Sequence, residues 1–203
     1  LRGCSHSHSY KIRFGIMNTL KAQDPLTDAL REKVQGIKLL ALDVDGVLSD
    51  GKLYYGNDGE ELKCFSILDG LGIKLLQDQG IIVAIITGRE SNIVSRRARE
   101  LAIQHVVQGR EDKITALNEL LKTTGLTLEQ TAYMGDDLPD LSAIIQCRFG
   151  TTVANGHDVV KQHADWVSSQ CGGAGAVREL ADLLLQANNL FDASIAPFLE
   201  TQT

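Results

Sequence analysis

Acidic residues directly follow an apolar run in "LLALDVDGVLSDG", which spans residues 39–51. Asp43 and Asp45 stand two positions apart at the end of that run. A hydroxyl and an amine follow later in the chain, at Thr87 in "IITGRE" and at Lys113 in "EDKITAL". A second acidic cluster, "MGDDLPD", contains Asp136, Asp137 and Asp140. These residue types can carry nucleophilic, acid–base and cation-binding chemistry.

Each group also has an ordinary structural interpretation when it is taken alone. Asp and Gly are common in turns after strands, Thr87 could cap the next helix, and Lys113 could be a solvated helix residue. "GDDLPD" could be an acidic N-cap with Pro139 in the first turn. An EF-hand is excluded because Gly46 comes only three residues after Asp43 and no Glu occupies the twelfth loop position. The presence of all four groups in one chain favours a catalytic interpretation.

The elements that would position these groups alternate along the chain. Apolar runs of strand length alternate with amphipathic segments of helix length, which is typical of a parallel sheet flanked by helices. The predicted strands are Ile37–Asp43, Ile81–Thr87, His105–Gln108, Thr131–Gly135 and a weaker one at Arg148–Val153. The predicted helices are Gly70–Gln79, Ser91–Leu101, Lys113–Thr123, Leu138–Gln146, Gly156–Gln162 and Gly175–Asn188. The predicted fold is α/β, a single Rossmann-like doubly wound parallel sheet.

Residues 52–65 break this alternation. Two strand-like arms flank Asn57-Asp58-Gly59, which predicts a projecting β-hairpin. Because the hairpin, the helices and one strand already fill the intervals between Asp43, Thr87 and Lys113, we expect no cap domain. We expect a leader with an N-terminal helical segment at 1–36, the catalytic domain at 37–190, and a C-terminal tail at 191–203. The opening "LRGCSHSHS" is interpreted as a cloning remnant or a disordered leader rather than a histidine metal site.

Composition narrows the classes of partner. The formal net charge of −6 argues against nucleic acid, and a longest apolar run of six residues at Ile81–Ile86 argues against a membrane span. Four widely spaced cysteines favour reduced intracellular thiols over a zinc site or a disulfide framework: Cys4, Cys64, Cys147 and Cys171. We therefore expect a cytoplasmic protein.

The carboxyl ends of parallel strands meet at one edge of the sheet, where ligands bind in open α/β folds. The predicted strands bring Asp43, Thr87 and Asp136 to that edge, and Lys113 begins a helix just beyond the third strand. Several carboxylates in one cleft would repel one another unless a cation lay among them. Because all-oxygen ligation suits magnesium, the sequence predicts a Mg²⁺ site.

The four motifs, "LDVDGVLSD", "IITGRE", "GREDKITAL" and "MGDDLPD", resemble in type and order those of the haloacid dehalogenase-like phosphohydrolases. The resemblance covers roughly residues 37–186. The segments "GVLSDG", "YYGNDGEELKCF", "DGLGIKLL" and "GGAGAVRE" are similar to small capless members that hydrolyse 3-deoxy-D-manno-octulosonate 8-phosphate, a lipopolysaccharide precursor. A nine-carbon substrate of the acylneuraminate 9-phosphate type stays open, because both kinds of enzyme share the core motifs.

The resemblance implies a mechanism. Asp43 would be the nucleophile that forms an aspartyl-phosphate, and Asp45 would be the general acid and base. The carboxylates of Asp43 and Asp136 and the backbone carbonyl of Asp45 would hold Mg²⁺. Thr87 and Lys113 would bind the phosphoryl oxygens. The supporting residues would be Gly88, Asp137 and Asp140.

The resemblance also suggests a homotetramer in which a neighbour covers each cleft, since the hairpin carries apolar side chains. Arg89 is a candidate for binding the sugar carboxylate, or alternatively a surface ion-pair partner. Glu61 and Lys63 on the hairpin could then reach across to the substrate in a neighbour's cleft, or alternatively be solvated charges. The resemblance suggests that residues 172–179 begin a mobile C-terminal segment; the alternative is a turn that leads into a helix.

Two alternatives come from other functional classes. A receiver-type signalling domain also combines Asp, Thr, Lys and magnesium on a doubly wound sheet. In receivers, however, the acceptor Asp lies on a later strand than the acidic pair, and Lys comes near the end. An inactive interaction protein would not need Asp43, Asp45, Thr87, Lys113 and Asp136 together.

Overall fold

A computed structural model describes residues 26–199 of the chain. The strands, in chain order, are β1 (Leu39–Leu42), β2 (Tyr54–Tyr55), β3 (Glu61–Leu62), β4 (Ile82–Ile86), β5 (His105–Val107), β6 (Thr131–Met134), β7 (Phe149–Thr152) and β8 (Trp166–Val167). Six of them form one parallel sheet in the order β5-β4-β1-β6-β7-β8. The expectation for residues 1–9 lies outside the described residues.

Helices cover both faces of this sheet. They are α1 (Asp28–Val34), α2 (Ile67–Asp78), α3 (Asn92–Glu100), α4 (Lys113–Thr124), α5 (Leu141–Gln146), α6 (Asp158–His163), α7 (Ala176–Ala187) and α8 (Phe191–Leu199). Short 3₁₀ turns occupy Leu128–Gln130 and Leu138–Asp140. In the described part of the chain, none of these helices has both the length and the apolar character needed to cross a bilayer.

The central strand β1 is buried on both faces, which explains its unbroken apolar sequence. Leu40 and Leu42 face a core cluster shared with α2 and α7, whereas Leu39 and Ala41 face a second cluster shared with α4 and α5. The chain passes from β1 to β4 and β5 on one side and later to β6, β7 and β8 on the other. The predicted doubly wound α/β fold is confirmed, and the carboxyl end of β1 lies at its switch point.

One strand and one helix were not predicted from the sequence. β8 has only two residues, too few for a periodic signal, and it pairs in parallel with β7 at the edge of the sheet. Residues 191–199, assigned to a tail, form α8, which contacts α2 and α7. Helix α2 begins at Ile67, three residues before the predicted start, because Ser66 caps it by accepting a hydrogen bond from the amide of Asp69.

The projecting hairpin is confirmed. β2 and β3 pair antiparallel, with Tyr54 opposite Leu62, and the turn contains Gly59 at a φ of +82°. A bridge between Ser49 and Phe65 fixes the base of the hairpin beside the loop that follows β1. Across residues 26–199, the hairpin is the extension between β1 and β4, and no cap domain interrupts the fold.

Candidate active site

The first acidic residue, Asp43, directly follows β1. Its amide donates to the carbonyl of Met134 at 3.0 Å, which extends the pairing of β1 with β6 by one residue. Its carboxylate is buried. Continuing the strand geometry therefore places Asp43 Oδ1 2.7 Å from the ammonium of Lys113.

Lys113 is the first residue of α4 and is only 3% exposed, so its interpretation as a solvated helix residue is wrong. Its Nζ also donates to Asp140 Oδ1 at 3.0 Å and to the backbone carbonyl of Ile86 at 3.0 Å. Burial by itself lowers the pKa of Lys113, but the charges of Asp43 and Asp140 outweigh it and raise the pKa. Lys113 is therefore a buried, charged and fully hydrogen-bonded cation.

The loop after β6 carries the second acidic cluster. Asp137 caps the 3₁₀ turn by accepting a hydrogen bond from the amide of Leu138 at 2.8 Å, as the N-cap interpretation predicts. Asp140 instead points back under the loop, where its Oδ2 accepts hydrogen bonds from the amides of Asp136 at 3.1 Å and Asp137 at 3.4 Å. A side chain at Gly135 would place its Cβ 2.3 Å from Asp140 Cβ, so only glycine fits there.

Carboxylate oxygens of Asp43, Asp136 and Asp140 lie within 4.8 Å of one another. Burial, followed by the charge of Asp140, raises the pKa of Asp43 to about 6, although Lys113 opposes the shift. Burial and the charges of Asp43 and Asp140 raise the pKa of Asp136 to about 7. This excess of negative charge fits a divalent cation with oxygen ligands.

Gly46 allows the two acidic loops to approach each other. A Cβ at this position would lie 2.0 Å from Asp136 Oδ2, and the backbone φ is +98°. Glycine is the residue that tolerates both the close contact and the positive φ. The glycine of "DG" in the first motif is therefore required for the two acidic loops to come together, in addition to favouring a turn.

Asp45 faces away from that cluster toward the hairpin. Its Oδ1 lies 2.5 Å from Lys63 Nζ and 3.5 Å from the hydroxyl of Ser49, and its Oδ2 lies 3.8 Å from Arg89 Nε. The side chain of Lys63 has no exposed area, so its interpretation as a solvated charge is wrong. Glu61 forms ion pairs with Lys63 at 3.3 Å and with Arg89 at 3.4 Å. The hairpin thus contacts the cleft of its own chain.

The predicted residues at the ends of β1, β4 and β6 surround one cleft of about 310 Å³. Thr87 is buried at its wall, and Ser91 rather than Thr87 caps α3 by accepting from the amide of Ile93. Arg89 stands at the rim with 44% of its side chain exposed. The lining residues are Asp43, Asp45, Gly51, Thr87, Gly88, Arg89, Glu111, Lys113, Asp136, Asp137, Pro139 and Asp140.

The glycine-rich segment at residues 172–179 is a packed turn. A Cβ at Gly172 would lie 1.6 Å from the carbonyl oxygen of Gly46, and the amide of Gly173 donates to the carbonyl of Val47 at 2.9 Å. Asp69 of α2 then accepts from the amide of Arg178 at 2.8 Å, at the start of α7. The structure favours the turn over a mobile segment at these residues.

Two residues near the cleft were missed in the sequence. Tyr133 is fully buried on β6, and its hydroxyl donates to Asp140 Oδ1 at 2.8 Å. An aromatic residue inside an apolar strand is normally a core residue, so the pattern gives no signal for such a contact. Glu111 also lines the cleft. It lies two residues before Lys113 in "EDK", and this closeness to a predicted site residue is the feature of the sequence that could have identified it.

Known proteins are similar to this chain in sequence and in fold. The family described as haloacid dehalogenase-like hydrolase matches residues 103–179. The 3-deoxy-D-manno-octulosonate 8-phosphate phosphatase KdsC of Yersinia pestis is 44% identical over 170 residues, which cover 84% of this chain and 91% of that protein.

Solved structures agree with these sequence matches. The Moraxella catarrhalis phosphatase of the same name, in complex with magnesium, phosphate and the KDO molecule, is 49% identical with a TM-score of 0.83, covering 85% of this chain and 99% of that one. The cobalt-bound deoxy-D-mannose-octulosonate 8-phosphate phosphatase of Haemophilus influenzae is 44% identical with a TM-score of 0.79, covering 83% and 99%.

The contact at Gly46 predicts that Gly46→Ala weakens Mg²⁺ binding at least about tenfold, because the new methyl group displaces the Asp136 carboxylate. Isothermal titration with Mg²⁺ measures this. Gly80→Ala is the matched control: its φ is +81°, so it carries a similar backbone cost of about 1–2 kcal/mol, and its Cβ meets no described atom within 4 Å. Equal Mg²⁺ affinity in the two variants would contradict the prediction.

The raised pKa values predict a pH-dependent cation affinity. Protons occupy Asp43 below about pH 6 and Asp136 below about pH 7 in the metal-free protein, and a divalent cation must displace them. The same protonation means that the metal-free fold loses stability as pH rises through these values, since the unfolded carboxyls titrate near their usual lower pKa. The higher cation affinity makes stabilisation by Mg²⁺ larger at high pH.

We therefore expect Mg²⁺ to bind at least about tenfold more tightly at pH 8 than at pH 5.5, and to raise the melting temperature more at pH 8. Thermal unfolding with Mg²⁺ and with EDTA measures this at each pH. Asp136→Asn should remove the Mg²⁺-dependent rise at both. An equal rise for the unchanged protein at both pH values would show that these carboxyls are not the ligands.

Proposed function

This chain belongs to the haloacid dehalogenase-like hydrolase family, and on that premise we propose that it hydrolyses 3-deoxy-D-manno-octulosonate 8-phosphate to the free sugar and phosphate with Mg²⁺. The observation that carries the proposal is 44% identity to a phosphatase of that name over 91% of its length. The enzyme is a phosphomonoesterase in lipopolysaccharide precursor biosynthesis. The receiver-like alternative is wrong, because the relatives are hydrolases.

Asp43 acts as the nucleophile in the first half-reaction. A carboxylate oxygen of Asp43 attacks phosphorus, the bond from phosphorus to the sugar oxygen breaks, and Asp45 protonates the leaving oxygen. The side chain of Asp45 faces the hairpin, away from the acidic cluster, and this position off the metal site supports its role in proton transfer. The product of this step is an aspartyl-phosphate on Asp43.

Water completes the reaction in the second half-reaction. Asp45 now takes a proton from the water that attacks the phosphorus of the aspartyl-phosphate, which releases phosphate and restores Asp43. Thr87 and Lys113 hold the phosphoryl oxygens through both steps, and a phosphoryl oxygen then replaces one of the three acceptors that Lys113 has in the metal-free protein. Gly88 and Asp137 line the same cleft in support.

The cation site fits magnesium. Asp43 and Asp136 keep oxygens available for a metal, whereas Asp140 is occupied by four hydrogen bonds. The carboxylates of Asp43 and Asp136 and the backbone carbonyl of Asp45 would hold the ion. An ion held there would neutralise the repulsion between the phosphate and the attacking carboxylate.

Recognition of the sugar acid falls to side chains at the rim of the cleft. Arg89 is partly exposed beside Asp45, and a guanidinium binds a carboxylate through two parallel hydrogen bonds. Glu61 lies next to Arg89 on the hairpin of the same chain and can contact substrate hydroxyls. The side chain of Lys63 is buried against Asp45 and Glu61, so it holds these carboxylates in place rather than contacting the substrate. The nine-carbon acid-sugar phosphate is the comparison substrate, since it presents the same groups at a greater length.

The proposed reaction predicts that kcat/KM for 3-deoxy-D-manno-octulosonate 8-phosphate exceeds that for an acylneuraminate 9-phosphate or p-nitrophenyl phosphate by at least about a hundredfold, and that EDTA abolishes turnover. Asp43→Asn should lower kcat at least about a thousandfold with the fold intact. Asp28→Asn on α1 is the control, because it makes the same change of a carboxylate to an amide at an exposed position. Equal rates on all three substrates would withdraw the substrate assignment, and residual turnover by Asp43→Asn would exclude Asp43 as nucleophile.

The assembly and location belong to the same proposal. Apolar side chains stand exposed on the hairpin and at the start of α2, which supports burial by other subunits in a homotetramer whose clefts are covered by a neighbour. They are Leu53, Tyr54, Tyr55, Leu62, Ile67, Leu68 and Leu71. Three cysteines in the described residues are free thiols, which supports a cytoplasmic location: Cys64, Cys147 and Cys171.

The homotetramer predicts a solution mass four times that of the chain in light scattering coupled to gel filtration. Leu62 and Ile67 are 61% and 81% exposed, and changing both to Asp should split the assembly and lower kcat/KM at least about tenfold. Ile145→Asp on α5, where the side chain is 55% exposed, is the matched control. A monomeric parent protein, or a double variant that stays tetrameric, would contradict the assembly.

A further inference from the structure

Tyr133 has no part in the reaction as written, yet it is a fully buried polar side chain beside the site. Its ring packs in the core cluster between the sheet and helices α4 and α5, with neighbours such as Leu117 and Ile144. A phenylalanine would fill the same space. The hydroxyl therefore needs an explanation beyond packing, since a buried hydroxyl is costly unless it is hydrogen-bonded.

The hydroxyl of Tyr133 donates to Asp140 Oδ1 at 2.8 Å. Burial and the charge of Asp140 raise the pKa of Tyr133 well above 10, so the hydroxyl keeps its proton and remains a donor. The same oxygen accepts from Lys113 Nζ at 3.0 Å. Asp140 Oδ2 accepts from the amides of Asp136 and Asp137 at 3.1 and 3.4 Å. All four acceptor sites of this carboxylate are thus occupied.

Asp140 would otherwise be well placed to bind a cation. One of its oxygens lies within 4.8 Å of oxygens of Asp43 and Asp136, and oxygens of these two proposed ligands lie within the same limit of each other. What separates Asp140 from them is its set of hydrogen bonds. Two of those bonds are to the backbone and one is to Lys113, so the Tyr133 hydroxyl is the donor that a single side-chain change removes without disturbing the rest.

We propose that Tyr133 is a positioning residue whose hydroxyl keeps Asp140 on Lys113 and out of the shell of the cation. The inference rests on the proposed phosphatase function. Losing the hydroxyl frees one acceptor site on Asp140, which can then turn toward the cation as a third carboxylate ligand. Lys113 loses its fixed partner in the same movement, and the phosphoryl group loses a well-oriented contact.

This role has a signature that damage to the fold does not produce. Tyr133→Phe should lower kcat about tenfold and change KM for the sugar phosphate less than about twofold. It should also bind Mg²⁺ at least about threefold more tightly, because cation affinity rises with the number of charged ligands. General disorder of the site would weaken Mg²⁺ binding instead.

The experiment combines steady-state kinetics with isothermal titration of Mg²⁺. Thr151→Val is the matched control, because it also removes a fully buried hydroxyl, one that donates to the backbone carbonyl of Tyr133 at 2.9 Å. This control should keep the parent kcat and Mg²⁺ affinity. A folded Tyr133→Phe with unchanged kcat and affinity, or with weaker Mg²⁺ binding, would overturn the proposal.

A second measurement tests whether Tyr133 acts through Asp140. In an Asp140→Asn background, Tyr133→Phe should cost less than about twofold further in kcat, because the shared acceptor is already changed. A further tenfold loss would show an independent role and overturn the proposal. Failure of the proposed function is distinguishable, since it would remove turnover from the parent protein while the Mg²⁺ titrations still report on Asp140.

Discussion

The site depends on one buried cation, the ammonium of Lys113. Its contacts at 2.7 and 3.0 Å to Asp43 and Asp140 compensate two carboxylates whose burial would otherwise favour their protonated forms. The carbonyl of Ile86 completes its hydrogen bonds. One positive charge cannot balance three carboxylates, however, and the pKa of Asp136, raised to about 7, marks the charge that is left over. This excess negative charge is unfavourable in the metal-free site, and it lets the site bind a divalent cation. The bound cation in turn allows a phosphate to bind.

Close packing at two glycines holds the loop after β1 beside the second acidic loop. Gly46 faces Asp136 on one side, and Gly172 lies against the carbonyl of Gly46 on the other, so the loop is enclosed at distances that admit no Cβ. Asp69 ties this arrangement to α2 by capping the start of α7. The glycine-rich segment at residues 172–179 therefore supports the site through packing.

Residues at strand ends could be predicted from sequence because a parallel sheet brings every carboxyl end to one edge, whatever the details of packing. Asp43, Thr87 and Asp136 follow from that rule alone. Tyr133 does not, because its pattern is that of a core residue and its function lies in one hydroxyl contact. The ion pair of Lys63 with Asp45 also depends on how the hairpin folds back, a tertiary feature that local sequence does not encode. Two-residue β8 fell below the length at which periodicity is informative.

The hairpin connects catalysis with assembly because alternate residues of an extended strand point to opposite sides. Glu61 and Lys63 share one side and meet Arg89 and Asp45 of the same chain, whereas Leu62 between them is 61% exposed on the other. A subunit that covered Leu62 would hold Glu61 and Lys63 against the cleft of their own chain. That subunit would not contribute a residue of its own to the cleft. In the proposed homotetramer, a neighbouring chain would cover the cleft by fixing each hairpin over its own site. Such an interface would not need to donate a catalytic group.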